Sequence, residues 1–280
     1  MKYDYVGKGV TRLDGIEKVT GQAQYVNDIN IQGMLYAKIE TSPYAHALIK
    51  SIDISKAKAL PGVKAVLTGK DAYQKLGIYM IDRPILACHK VRYYGEAVAA
   101  VAAIDLETAE KAIKLIEIVY EELPIVQDVE EALKPESPLV HEDITSNKWM
   151  ENVFSPVIGT NIANLFKIRK GNLEKAFEEA DIIVENTFTQ PQVLHVPMET
   201  HNVIGKWSVG NKIKVWSSAQ APFAIRDLMS VALGIPKQDI EVIVPYVGGG
   251  FGGKAGIHLE PLVVLLSKAA NGKPVKLCPT

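Results

Sequence analysis

Residues 242–256 read VIVPYVGGGFGGKAG, with five glycines in the six positions 248–253. Glycine inside an element costs up to about 1 kcal/mol relative to alanine, so such a run is an expensive way to make a mere turn. It requires surroundings that leave no room for side chains. The apolar run DIEVIVPYV before it predicts a strand. After it, HLEPLVVLLSKAANGK predicts a buried helix, with Pro261 in its first turn and Gly272 as its stop. A strand, a glycine loop and a helix N-terminus together make a cup of N–H groups suited to an anion such as phosphate or pyrophosphate.

Two nucleotide-binding patterns fit this loop by count alone. Gly248, Gly250 and Gly253 satisfy G-x-G-x-x-G, and Gly248, Gly253 and Lys254 satisfy G-x-x-x-x-G-K. Ala255 stands where a phosphate-binding loop needs Ser or Thr for magnesium, and no acidic residue follows Glu260 to meet a ribose. Nucleotide binding and a purely structural turn remain the alternatives.

Charge and composition exclude other classes. The 280 residues carry 31 basic and 32 acidic side chains, with no basic stripe to suggest nucleic acid. Cys88 and Cys278 match no metal-ligand spacing and read as reduced thiols of a cytoplasmic protein. The N-terminus MKYDYVGKGV lacks an apolar signal core, and AVAAVAAI at 97–104 is too short for a bilayer. A cytoplasmic protein with no nucleic-acid and no membrane partner is expected.

An α+β order is expected throughout. MLYAKIETS reads as a strand, and SIDISKAKALPGVKAVLTGKDA as strand, short helix, turn at Pro61-Gly62 and strand. EAVAAVAAID predicts a strand buried on both faces. LETAEKAIKLIEIVYEEL predicts a helix capped by Asp105 or Thr108, then a strand. Residues 124–164 read as a long connection crossing the surface of both halves. GNLEKAFEEA predicts a short helix with Leu173 and Phe177 on one face, and DIIVENTFTQ an alternating strand. NVIGKWSVGNKIKVWSS predicts a hairpin turning at Gly210-Asn211, and PFAIRDLMSVALGI a helix from Pro222 to Gly234.

The words GGGFGGK between strand and helix resemble the pterin-binding loop of the molybdenum hydroxylases, the xanthine dehydrogenase and aldehyde oxidase family. VRYYGEAVAAVAAIDLETAEKAIKLIEIVYEELPIV and the stretch VTGQAQYVNDINIQGMLYAKIETSPYAHALIKSIDISKAKALPGVKAVLTGKD resemble its hammerhead domain. HVPMETHNVIGKW resembles its Met-Glu pair before a histidine, and VWSSAQAPFAIRDLMSVALGIP the segment that brings a glutamine to the metal. The resemblance implies a hammerhead-type α/β domain over 1–130, a connecting segment over 131–160 and the first part of a molybdopterin-binding α+β domain over 161–280.

The resemblance also implies chemistry. Family members oxidise an electron-poor carbon of an aldehyde or N-heterocycle at a molybdenum centre. Two electrons then leave through iron–sulfur clusters to flavin or another acceptor. Gln220 matches the glutamine that hydrogen-bonds an oxo ligand of the metal. Phe251 matches the residue at the loop tip, and Gly249, Gly250, Gly252 and Gly253 the glycines around it. His195, Glu199 and His201 match a conformational part of the site, with Pro197 between them arguing against a helical metal site. Arg226 reads as a solvated or ion-paired surface residue. The implied cofactor is molybdopterin, in some members as a cytosine dinucleotide.

Three departures limit the match. The family's general-base glutamate and its remaining cofactor contacts are expected beyond position 280, so no catalytic residue is assigned, no direct metal ligand is expected, and the isolated chain is expected to be inactive. Ala255 stands where xanthine-type members carry a glutamate. No cysteine cluster or flavin fingerprint is present, so iron–sulfur clusters and FAD are expected on partner chains, beside the remaining molybdopterin-binding polypeptide and a small-molecule substrate. The rival expectation is a non-catalytic split or truncated subunit serving as an interaction module.

Overall fold

The computed structural model describes residues 3–279. Its main strands are β1 (Leu35–Thr41), β2 (Ala47–Asp53), β3 (Val63–Thr68), β4 (Ala97–Ala103), β5 (Glu117–Glu122), β6 (Val203–Ser208), β7 (Lys212–Ser217), β8 (Ile240–Ile243) and β9 (Val275–Leu277). The helices used below are α1 (Ser55–Ala59), α2 (Leu106–Ile113), α3 (Pro222–Leu233) and α4 (Glu260–Ala269). A seven-stranded sheet runs in the order β8-β7-β6-β9-β1-β4-β3. β9 sits at its centre, antiparallel to β6 and parallel to β1, so strands from both halves of the chain share one sheet. β2 and β5 form a smaller sheet with Lys90–Val91.

Local signals explain most of these elements. β4 is buried on both faces, as its unbroken apolar run demands. Ala100 and Ala102 join the large core beneath α3 and α4, while Ala99 and Val101 face Ala57 of α1 and Ala112 of α2. Between the two capping candidates, the structure selects Asp105, whose carboxylate accepts the Thr108 N–H at 2.7 Å. The hairpin β6–β7 turns through Gly210 and Asn211, both at positive φ. α3 begins at Pro222 and ends at Gly234 in the left-handed conformation. Where α4 crosses β6, a methyl at Gly205 would lie 2.9 Å from Val264, so the bare strand lets the helix settle closely.

Two expectations need correction. DIIVENTFTQ forms no strand: residues 182–198 run as coil without ladder partners, and Ile182, Val184 and Phe188 are exposed. Alternation marks a strand only where another strand offers an edge, and none among the described residues does so here. The short helix expected just before it does form, over Leu173–Glu178, with Leu173 and Phe177 exposed. The 124–164 connection packs on the N-terminal half. Lys148–Trp149 pairs with Met80–Ile81, Lys90 meets Glu142, and Arg92 donates to the Val140 carbonyl. No helix among the described residues is long and apolar enough to cross a membrane.

Candidate functional site

β7 ends at Ser217, and the chain then turns through Gln220 into α3. β8 ends at Ile243 and leads into the glycine loop. Because β7 and β8 are parallel neighbours, both connections leave the same end of the sheet. Gln220 therefore lies against the loop. Its Oε1 accepts the N–H groups of Gly252 at 3.0 Å and Lys254 at 3.2 Å, and its own N–H donates to the Lys254 carbonyl. With that oxygen doubly held, the side-chain NH2, which has no acceptor among the described residues, is the end left to donate.

The other flank of the loop is the 195–201 segment. Glu199 Oε2 accepts the Gly248 N–H at 2.7 Å and the Lys254 ammonium at 3.0 Å. The pair is deeply buried, with side-chain exposures of 9% for Glu199 and 2% for Lys254. The Glu199 N–H donates back to the Gly248 carbonyl, and Glu199 Oε1 is buried with no partner among the described residues. Lys254, a mere fragment of a nucleotide pattern on paper, points inward to a carboxylate rather than outward to a phosphate.

This geometry answers why the run is glycine. A methyl at Gly248 would lie 2.5 Å from Glu199 Cβ, one at Gly250 2.5 Å from Gln220 Oε1, and one at Gly253 3.1 Å from the His195 ring. At Gly249, φ is +97° and a methyl would meet the Phe251 ring at 3.0 Å. The chain's own side chains occupy the space a Cβ would need. Phe251 itself holds φ 51, a strained value for a bulky residue, and is 72% exposed at the tip.

The N–H groups divide in the same way. Those of Gly248, Gly252, Gly253 and Lys254 all meet protein acceptors. Those of Gly249, Gly250 and Phe251 have no acceptor among the described residues. The helix N-terminus adds nothing to this cup, contrary to the sequence reading. α4 starts only at Glu260, whose own carboxylate takes the His258 N–H at 2.9 Å.

Behind the loop lies a polar cluster that sequence reasoning missed. Glu260 is fully buried and accepts from the Ser217 hydroxyl at 2.7 Å, with His201 Nε2 at 3.4 Å. Burial works to raise this carboxyl, but the bonds from His201, His258 N–H and Ser217 outweigh it and bring it down to about 2. The His258 ring packs 4.6 Å from that of His201, and burial followed by the His201 and Arg83 charges lowers it to about 4. Arg83 reaches across from the N-terminal half to donate to the Ile257 carbonyl at 2.6 Å. Only contacts between distant residues reveal the cluster, which is why no spacing announced it. Among the described residues, no three His, Cys, Asp or Glu side chains gather as a metal site. Arg226, partly exposed, pairs with neighbouring Asp227.

The loop suits an anionic, oxygen-rich group: three tip N–H groups and an amide NH2 lack acceptors among the described residues, beside the exposed Phe251. Comparison with known proteins points the same way. Residues 154–280 match the molybdopterin cofactor-binding domain, and residues 20–124 the aldehyde oxidase and xanthine dehydrogenase a/b hammerhead domain. The chain is 34% identical over 95% of its length to the xanthine dehydrogenase molybdenum-binding subunit of Escherichia coli, covering 35% of that protein. It is 34% identical over 98% of its length to the nicotinate dehydrogenase large molybdopterin subunit of Eubacterium barkeri, covering 61% of it. The solved quinoline 2-oxidoreductase of Pseudomonas putida superposes with a TM-score of 0.83 at 34% identity, over all of this chain and 35% of that one. The CO dehydrogenase of Oligotropha carboxidovorans gives 0.85 at 34% identity, over 98% of this chain and 35% of that one. The chain thus spans about a third of the length of most of these relatives. Two domain matches in series and a shared fold lead to one conclusion: the chain belongs to the molybdenum hydroxylase family of xanthine dehydrogenases and aldehyde oxidases.

Proposed function

We propose that this chain supplies the pterin-binding glycine loop of a molybdenum-dependent hydroxylase or dehydrogenase that oxidises an aldehyde or an N-heterocycle. The observation that carries the reading is the meeting of Gln220 with a loop tip whose Gly249, Gly250 and Phe251 N–H groups lack acceptors among the described residues. Those N–H groups would hold the charged edge of molybdopterin, and the Gln220 NH2 would donate to an oxygen on the metal. Gly252 and Gly253 let the loop pass beneath His195, and the Phe251 ring would keep water from the centre. When bound, the cofactor supplies the two-electron redox and oxygen-transfer chemistry.

The same reading places the general base and the rest of the cradle on polypeptide outside these 280 residues, and iron–sulfur clusters and FAD on partner chains. It keeps a functional division into 1–130, 131–160 and 161–280, and includes the cytosine dinucleotide form of the pterin. Relatives named for xanthine, carbon monoxide and nicotinate support a dehydrogenase. Ala255 argues against a carboxylate-based purine site. The burial of Lys254 against Glu199 argues against nucleotide phosphate binding.

The test is co-expression with the chains that complete the assembly. The complex is expected to carry molybdenum and turn over, and the chain purified alone to hold little metal. Gln220→Leu in the complex should lower turnover by about 10²-fold, the usual scale for losing one oriented donor. Wild-type turnover in that variant, or robust turnover by the isolated chain with a dye acceptor, would overturn the reading.

A further inference from the structure

We propose that Glu199 is a positioning residue. Its carboxylate, shared between the Lys254 ammonium and the Gly248 N–H, latches the 248–254 loop in its ligand-ready shape before any ligand arrives. The inference rests on the proposed function only in what the loop is ready for; the latch itself is a property of the chain alone.

Three observations support it. First, Glu199 and Lys254 form a buried pair with little solvent access to either side chain. A buried pair is weak evidence for stability, since an apolar pair of similar volume often serves as well or better. Its geometry is therefore the more telling fact: the carboxylate also binds a loop N–H, and the Glu199 N–H returns a bond to the Gly248 carbonyl. Second, the latch closes both ends of the loop. Glu199 holds the first glycine and the lysine side chain, and Gln220 holds the Gly252 and Lys254 N–H groups. Apart from the turn bonds from the Gly253 and Ala255 N–H groups to the Gly250 and Gly252 carbonyls, the bonds that shape the loop come from outside it. Third, the latch leaves a defined remainder. With Gly248, Gly252, Gly253 and Lys254 engaged, the donors left for a ligand are those of Gly249, Gly250 and Phe251. A loop collapsed on itself would instead spend those tip N–H groups on its own carbonyls.

The test is amide hydrogen exchange, read by NMR on the 280-residue chain without cofactor. The double variant Glu199→Met/Lys254→Met removes both charges together, so no unpaired charge is left buried and the fold is expected to survive. The latch requires the Gly248, Gly252 and Lys254 N–H groups to exchange at least about tenfold faster, the scale of a lost bond to a charged group. The N–H groups of Ala99 and Ala102 in β4 should keep their wild-type rates. Glu199→Gln/Lys254→Met restores an acceptor for Gly248 and should slow its exchange again, a rescue that a purely space-filling role would not produce. Loop exchange within about twofold of wild type in a folded Met/Met variant would overturn the proposal. Molybdenum content of the co-expressed complex separates the two readings. A loosened loop with an undiminished cofactor load leaves the latch standing and removes the cofactor role proposed for the loop.

Discussion

A methyl group at position 248 has nowhere to go. It would lie 2.5 Å from Glu199 Cβ and 3.5 Å from the backbone nitrogen of the same residue. Gly248→Ala should therefore displace the Glu199 strap, at a cost of about 1–3 kcal/mol in unfolding free energy measured by denaturant titration. The acidic limb of the stability profile belongs to this scale too. His258 and Glu260 both titrate below their ordinary values of 6.5 and 4.5. The unfolded chain thus binds their protons first, and the stability they contribute is complete above about pH 6.5. It is lost as pH falls through about 4 for His258 and about 2 for Glu260. Melting temperatures of wild type should fall between pH 6.5 and 4, and those of His258→Gln should fall less over that window. Sequence showed Glu199 and Lys254 as members of two separate motifs, with nothing to join them. Their pairing depends on a fold that brings residues 55 positions apart into contact, and no local period encodes that.

Elements with local punctuation were the most legible. Pro222 and Gly234 bracket α3, Asp105 caps α2, and Gly210 with Asn211 turns the hairpin, because each of these residues acts through its own backbone. Asp105→Ala should cost about 1 kcal/mol of stability, as loss of a helix cap usually does. Gly205 was less legible, since a strand glycine says only that something comes near. The structure identifies α4 as the neighbour. Gly205→Val would force α4 off β6 and should cost at least about 2 kcal/mol, or prevent folding altogether, as judged by thermal melts. The run DIIVENTFTQ misled because its alternation is a strand's, while pairing is a property of two segments.

Across the whole molecule, apolar surface is concentrated unevenly. The main core between the seven-stranded sheet, α3 and α4 is closed, whereas Ile182, Val184, Phe188, Val193 and Leu194 stand in water. A surface of this kind marks a contact site. Limited proteolysis of the isolated chain should cut first within 181–198, and assembly with the completing polypeptide should suppress those cuts. Unchanged cleavage in the assembled complex would show that some other face makes the contact. That the chain is α+β was readable from its alternating patterns. That both halves share one sheet was not, because β9 is a three-residue strand with no pattern of its own.

The central position of β9 also sets a schedule. Ribosomes deliver the amino terminus first, yet Leu35 and Tyr36 must wait for Val275 and Lys276 before their outer edge is satisfied. At 5–20 residues per second that delay is roughly 10–50 s. Throughout it the nascent polypeptide carries an open seam through the middle of its future sheet, a natural station for a chaperone.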